Sequence, residues 1–142
     1  MSMFTLKPLY IWCILLIEAT LADKSTQRIM EMEPVSRHLG EHILITGNKN
    51  SYCLFVSTFL HRNVISDFRK RRTYEYYSDQ YENVVEGLKI LSLETAELRR
   101  ILECGISDDK LYKLFESAYY SDEPVPTWYE REVVGKIMSY GA

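Results

Sequence analysis

Apolar positions recur along most of the chain, but their period changes from one segment to the next. Residues 9–17 (LYIWCILLI) form an apolar run rich in β-branched and aromatic side chains, followed by the polar stretch Ala22-Asp23-Lys24-Ser25. Such a run describes a buried strand entering a hairpin, with residues 26–32 returning. It equally describes the apolar centre of a signal peptide, behind Lys7 and ahead of the small-residue stretch Ala19-Thr20-Leu21-Ala22. Period alone does not choose between the two. The run is shorter than the roughly 20 apolar residues of a membrane-spanning helix, and Glu18 interrupts it.

Further on, Val35, Leu39, Ile43 and Leu44 lie near helical spacing, and Gly47-Asn48 supplies a left-handed stop, which predicts a short helix over 35–45. Asn50 or Ser51 caps a second predicted helix, in which Cys53, Val56 and Leu60 share a face. Residues 63–68 alternate, 70–72 make a basic turn, and 73–77 are aromatic and β-prone, so a hairpin is predicted over 63–77. Val84, Val85, Leu88 and Leu91 fall on one helical face, and helical composition continues over 92–103 until Gly105. Ser107-Asp108-Asp109 opens a helix that buries Leu111, Leu114, Phe115 and Ala118. Pro124 and Pro126 break the chain. Thr127-Trp128-Tyr129-Glu130 reads as a capping box, with Val133, Val134, Ile137 and Met138 on the inner face of a last helix.

These elements describe one mixed domain of 142 residues, a length that gives a real core but not two of them. With 46% hydrophobic and 26% charged residues, the composition is that of a globular chain. Seventeen Lys and Arg against twenty Asp and Glu give a net charge of −3, so no global positive field favours a polyanion, and nucleic acid is not expected as a partner. Cys13, Cys53 and Cys104 form no C-x-x-C pair and suit reduced, mostly buried thiols. The aromatic cluster Tyr74, Tyr76, Tyr77 and Tyr81 reads as core and sheet surface, and the basic run 69–72 as a solvated turn. His61, near a helix end, has no role in this reading.

One motif carries chemistry. His38-Leu39-Gly40-Glu41-His42 reads H-x-x-E-H, and on a helix the two imidazoles, four residues apart, can reach one metal from the same face. Glu41 can then act as general base on a metal-bound water. This is the inverted zinc-peptidase pattern.

On these residues the chain resembles the insulysin-type (M16) zinc metallopeptidases, and the resemblance extends along most of its length. The H-x-x-E-H helix, the turn Ile45-Thr46-Gly47-Asn48-Lys49, the segment Asn50-Ser51-Tyr52-Cys53-Leu54-Phe55, the strand at 73–77, the helix at Val85-Glu86-Gly87-Leu88 and Arg131-Glu132-Val133 follow the family's order. The first apolar run and its polar turn are similar to that family's first hairpin. The resemblance implies an α/β (α+β) domain, helices packed on a partly antiparallel sheet, truncated, with the last helix lying against residues 38–42. It implies zinc on His38 and His42, Glu41 as catalytic base and Glu132 as a supporting residue. The family's third ligand, a Glu, falls on Ser139 here, and a neutral hydroxyl is a poor zinc ligand. Zinc binding is therefore expected to be weak or absent, and the isolated chain inactive in peptide hydrolysis. The implied partners are a peptide or a larger M16-type subunit.

Two alternatives remain at this point. One is an active small metalloendopeptidase with a substitute third ligand. The other is a secreted helical interaction protein, mature from residue 23 after loss of a signal peptide at 1–22, with Cys53 bonded to Cys104. If 9–17 is instead a strand, residues 1–142 form one domain and the protein is cytoplasmic.

Overall fold

A computed structural model describes residues 2–6, 13–20, 24–69, 74–77 and 82–140. Its centre is a four-stranded sheet built from β1 (Ser2–Leu6), β2 (Cys13–Thr20), β3 (Ser51–Ser57) and β6 (Lys89–Glu94), in the order β1-β2-β3-β6. β1 runs antiparallel to β2, whereas β2, β3 and β6 are mutually parallel. Parallel neighbours need crossover connections. The first crossover is α1 (Lys24–Thr46), and the second passes through α2 (Arg62–Arg69) and a separate antiparallel hairpin of β4 (Tyr74–Tyr77) and β5 (Glu82–Val85). After β6 come α3 (Thr95–Cys104), α4 (Asp108–Tyr120) and a C-terminal rod made of α5 (Val125–Trp128), a π-helical turn (Tyr129–Val134) and α6 (Gly135–Tyr140).

β3 explains the architecture best. Every residue from Ser51 to Ser57 is buried, the signature of a central parallel strand covered on both faces. Successive side chains point to opposite faces. Tyr52 packs toward α4, with ring centroids 6.2 Å from Phe115 and 6.3 Å from Tyr119. Phe55 packs the other way, 5.4 Å from Phe68 of α2. Helices α1 and α2 therefore cover one face of the sheet and α4 the other. Two Tyr hydroxyls of that second layer, those of Tyr52 and Tyr112, donate to Glu116 Oε1 at 2.7 and 2.6 Å, and Tyr119 donates to the Gly87 and Leu88 carbonyls, so these buried hydroxyls are matched.

The mixed α/β class is as expected, while several elements are corrected. The helix predicted over 35–45 does end at Gly47, whose φ is +68° and whose amide donates to the Ile43 carbonyl at 2.8 Å. It starts at Lys24, however, and runs through Pro34, so residues 26–32 are helix and not a returning strand. The second predicted helix is β3, because a short run of buried residues is compatible with either element. Residues 62–69 are helical, with Val64, Ile65 and Phe68 buried, and not half of a hairpin. The helical face assigned to Val84, Val85, Leu88 and Leu91 is two strands, separated at Gly87, where φ is +66°.

Helix α4 opens at Ser107, whose hydroxyl accepts from the Lys110 amide, and α3 stops at Gly105 in the left-handed region, both as read from the sequence. Thr127 is not a cap. It lies inside α5, its hydroxyl donating to Glu123 Oε1 at 2.6 Å, and Pro124 precedes that helix. Val133 and Ile137 face the core, but Met138 is exposed. Cys53 is buried and Cys104 exposed, and both are free thiols, so the proposed disulfide does not exist. The run 9–17 overlaps β2 from Cys13 onward; its first residues, the turn at 21–23, the basic turn at 70–72 and Tyr81 lie outside the described residues. No helix among the described residues is long and apolar enough to cross a membrane.

Candidate active site

Glu18 stands two residues from the end of β2, aligned in the sheet with Phe55 of β3, which places its side chain on the face covered by α1. Val35 and Leu39 anchor α1 in the core at helical spacing, and His38 sits between them at the margin of that contact. Its Nδ1 lies 2.5 Å from Glu18 Oε1. The carboxylate is 17% exposed and the imidazole 36%, so the pair is shielded on the protein side and open to solvent at the ring. A carboxylate on one ring nitrogen fixes the tautomer and leaves Nε2 as the acceptor for an incoming proton.

Below the pair lies the Cys53 thiol, whose pKa is pushed far up, first by burial and then by the Glu18 charge. It stays protonated and is no nucleophile. One turn along α1, the Nε2 of His42 is shielded from solvent and has no hydrogen-bond partner among the described residues. Burial lowers the His42 pKa below its ordinary value. As the pH falls below about 6.5, the unfolded chain takes up a proton that the folded chain refuses, so stability is lost down to the folded pKa. The urea midpoint should therefore be lower at about pH 5 than at about pH 7.5, with His42→Leu reducing the difference. An equal difference in the variant would contradict this assignment.

The carboxyl ends of β3 and β6 lie beside this site. Thr95 Oγ1 donates to the Ser57 carbonyl at 3.3 Å, and the Tyr129 hydroxyl accepts from the Glu94 amide at 2.8 Å while donating to Glu97 Oε2 at 2.7 Å. Burial raises the Glu94 pKa, an effect opposed by the Leu60 amide and reinforced by Glu97 and Glu130. A cavity of about 670 Å³ opens at the opposite ends of the same strands, between Ile43, Ser51, Val85 and Lys89, away from the Glu18–His38 pair.

Of the residues assigned to zinc, His38, Glu132 and Ser139 have other partners. His38 turns to Glu18, and Glu41 lies half-buried on the same helix. Glu132 pairs with Lys136 at 2.6 Å, and Lys136 also donates to Ser117 of α4 at 3.0 Å. Ser139 is exposed and donates to the Lys136 carbonyl. The last helix packs against α3 and the preceding π turn, whereas α1 packs against β2, β3 and α2. Among the described residues, no group of three or more His, Cys, Asp or Glu is placed to hold a metal ion.

Glu18 was missed. Its signal in the sequence was a single carboxylate inside an apolar run, which had counted only as an interruption of that run. A lone acid in a buried strand needs a partner, and here the partner lies 20 residues away on the crossover helix.

The mixed sheet, with its two parallel crossovers and Glu18 near the end of β2, defines an α/β fold. It is similar to the small subunit of the heterodimeric restriction endonuclease R.BspD6I, with a TM-score of 0.60 at 17% identity, over 89% of this chain and 62% of that one. The chain thus spans less than two thirds of that subunit's length. The family model of the AlwI restriction endonuclease matches residues 9–101, well over half of the chain, and the chain belongs to that family. No curated protein matches it.

Family membership overturns the insulysin-type reading, and with it the zinc peptidase activity, both alternatives to it, the peptide or M16-type partner, and the exclusion of nucleic acid. A helix that carries H-x-x-E-H offers those residues to whatever packs on it. In this fold the first histidine meets a strand carboxylate 20 residues away in the sequence.

Proposed function

We propose that the chain acts on DNA as an endonuclease-type subunit, with Glu18 and His38 as the groups that prepare the attacking water for phosphodiester hydrolysis. The observation that carries this is the Glu18–His38 pair within the stretch matched by the AlwI family model. In this reading the Glu18 carboxylate holds the Nδ1–H tautomer of His38, Nε2 draws a proton from water, and the carboxylate stabilises the imidazolium that results.

A divalent cation, when bound, would stabilise charge developing on the phosphate. The described donors do not make up such a site, since one carboxylate engaged by a histidine is too few, and no step here is routed through a metal. The likeness to one subunit of a heterodimer supports a second protein chain as a partner. A single site of this kind attacks one strand. The expected product from a supercoiled plasmid in magnesium buffer is therefore the nicked circle; recovery of intact supercoiled DNA at all protein concentrations would contradict the proposal.

The same reading keeps β2 in the working protein. A chain matured to begin at Asp23 would lack β1, β2 and Glu18, so we propose a cytoplasmic protein that retains its first 22 residues. Intact mass of the protein isolated from cells tests this, and a mature start at Asp23 would overturn it.

A further inference from the structure

The loop from β3 to α2 leaves the sheet at the same end as Glu18. Thr20 of β2 is aligned with Ser57, the last residue of β3, so Phe59 begins about four residues beyond the row of Glu18. The loop leads into α2, which covers the same face of the sheet as α1.

The loop is held in one shape. Ser57 Oγ donates to the Phe59 carbonyl at 3.0 Å. The Leu60 side chain is buried, and its amide donates to the Glu94 carboxylate. The His61 ring accepts from the Asn63 amide at 3.2 Å, while its carbonyl accepts from the Val64 and Ile65 amides at 3.0 and 3.2 Å. Through this frame Phe59 is presented with 57% of its surface exposed, and Arg62 is exposed three residues later. A single apolar side chain on a surface needs no explanation by itself. Phe59 differs in being carried on a fixed turn, three residues before an exposed Arg62, at the end of the sheet that holds the Glu18–His38 pair.

We infer that this loop is the element that engages the DNA strand next to the site, with Phe59 in apolar contact with a base and Arg62 on the adjoining phosphate. The inference rests on the reading of DNA as substrate. Aromatic contact with a base is sequence-tolerant, and a guanidinium on phosphate positions the strand without reading it. Glu94, the acid facing the loop, is taken up by the Leu60 amide and does not need to be displaced.

The test is fluorescence anisotropy of a labelled duplex in chelator, where no strand is cut. The wild-type chain should bind, and Phe59→Ala should weaken binding about 5- to 50-fold. Arg62→Ala should weaken it and lower the slope of log affinity against log salt by about one. Phe59→Trp should keep the affinity and change its emission on adding DNA. This gives an independent measurement should Phe59→Ala fold poorly. If the wild-type chain binds and the two alanine variants bind equally well, or if the Trp emission is unmoved, the loop assignment is wrong while the DNA reading stands. If the wild-type chain does not bind, both fall.

Discussion

Replacing Glu18 by Gln, or His38 by Ala, should lower the rate of strand nicking about 10²- to 10⁴-fold, the usual contribution of a positioned general base. The two variants remove different halves of one device. His38→Ala deletes the proton acceptor itself. Glu18→Gln leaves the imidazole in place but removes the negative charge that lies 2.5 Å from Nδ1, so the imidazolium formed in the reaction loses its partner. Because both act on the same proton, the double variant should be little worse than the worse single one. Effects that multiply would show that the residues work separately. Neither change should unfold the chain, since His38 is partly exposed and Gln preserves the shape of Glu18.

Trp128→Ala should cost about 3–5 kcal/mol of stability, the range for removing a fully buried aromatic side chain. Trp128 is a closure point for the C-terminal third of the fold. Its indole N–H donates to the Ala118 carbonyl at 2.8 Å, in the last turn of α4, where backbone carbonyls lack partners within the helix. The Arg69 guanidinium lies 5.0 Å from the centre of the ring and donates to the Ser121 carbonyl at 2.8 Å. One side chain from α5 and one from α2 thus cap α4 together. Trp128→Phe should keep most of the packing and lose the hydrogen bond, at a cost of about 1–2 kcal/mol. Urea unfolding measures both, and a loss under about 1 kcal/mol for the alanine variant would show that the rod is not part of the cooperative core.

Helices with clear ends were legible in the sequence. Gly47 and Gly105 stop α1 and α3 where the pattern placed them, and Ser107 opens α4. The buried parallel strands were not. β3 is apolar on both faces, so it shows no alternation to distinguish it from a helix, and Cys53, Val56 and Leu60 happen to fall at helical spacing. Residues 26–32 of α1 were assigned instead to the returning strand of a hairpin, and the helix runs on through Pro34, a residue that ordinarily breaks one.

The site was half legible. His38 was singled out, as a metal ligand, without its contact to Glu18: H-x-x-E-H reports what one helix can offer, and only the β2–α1–β3 crossover determines that Glu18 meets it. Net charge misled as well. A value of −3 describes the whole surface, and it cannot exclude a local contact such as Arg62 beside Phe59.

The central claim is that this AlwI-family chain works on DNA through Glu18 and His38, and it is tested most directly by measuring nicking rate and DNA affinity side by side for the wild-type chain and Glu18→Gln. The account predicts nicking by the wild-type chain and a rate at least about 100-fold lower in the variant, with DNA affinity unchanged. Equal nicking rates, or a rate that falls only in step with lost affinity, would contradict it.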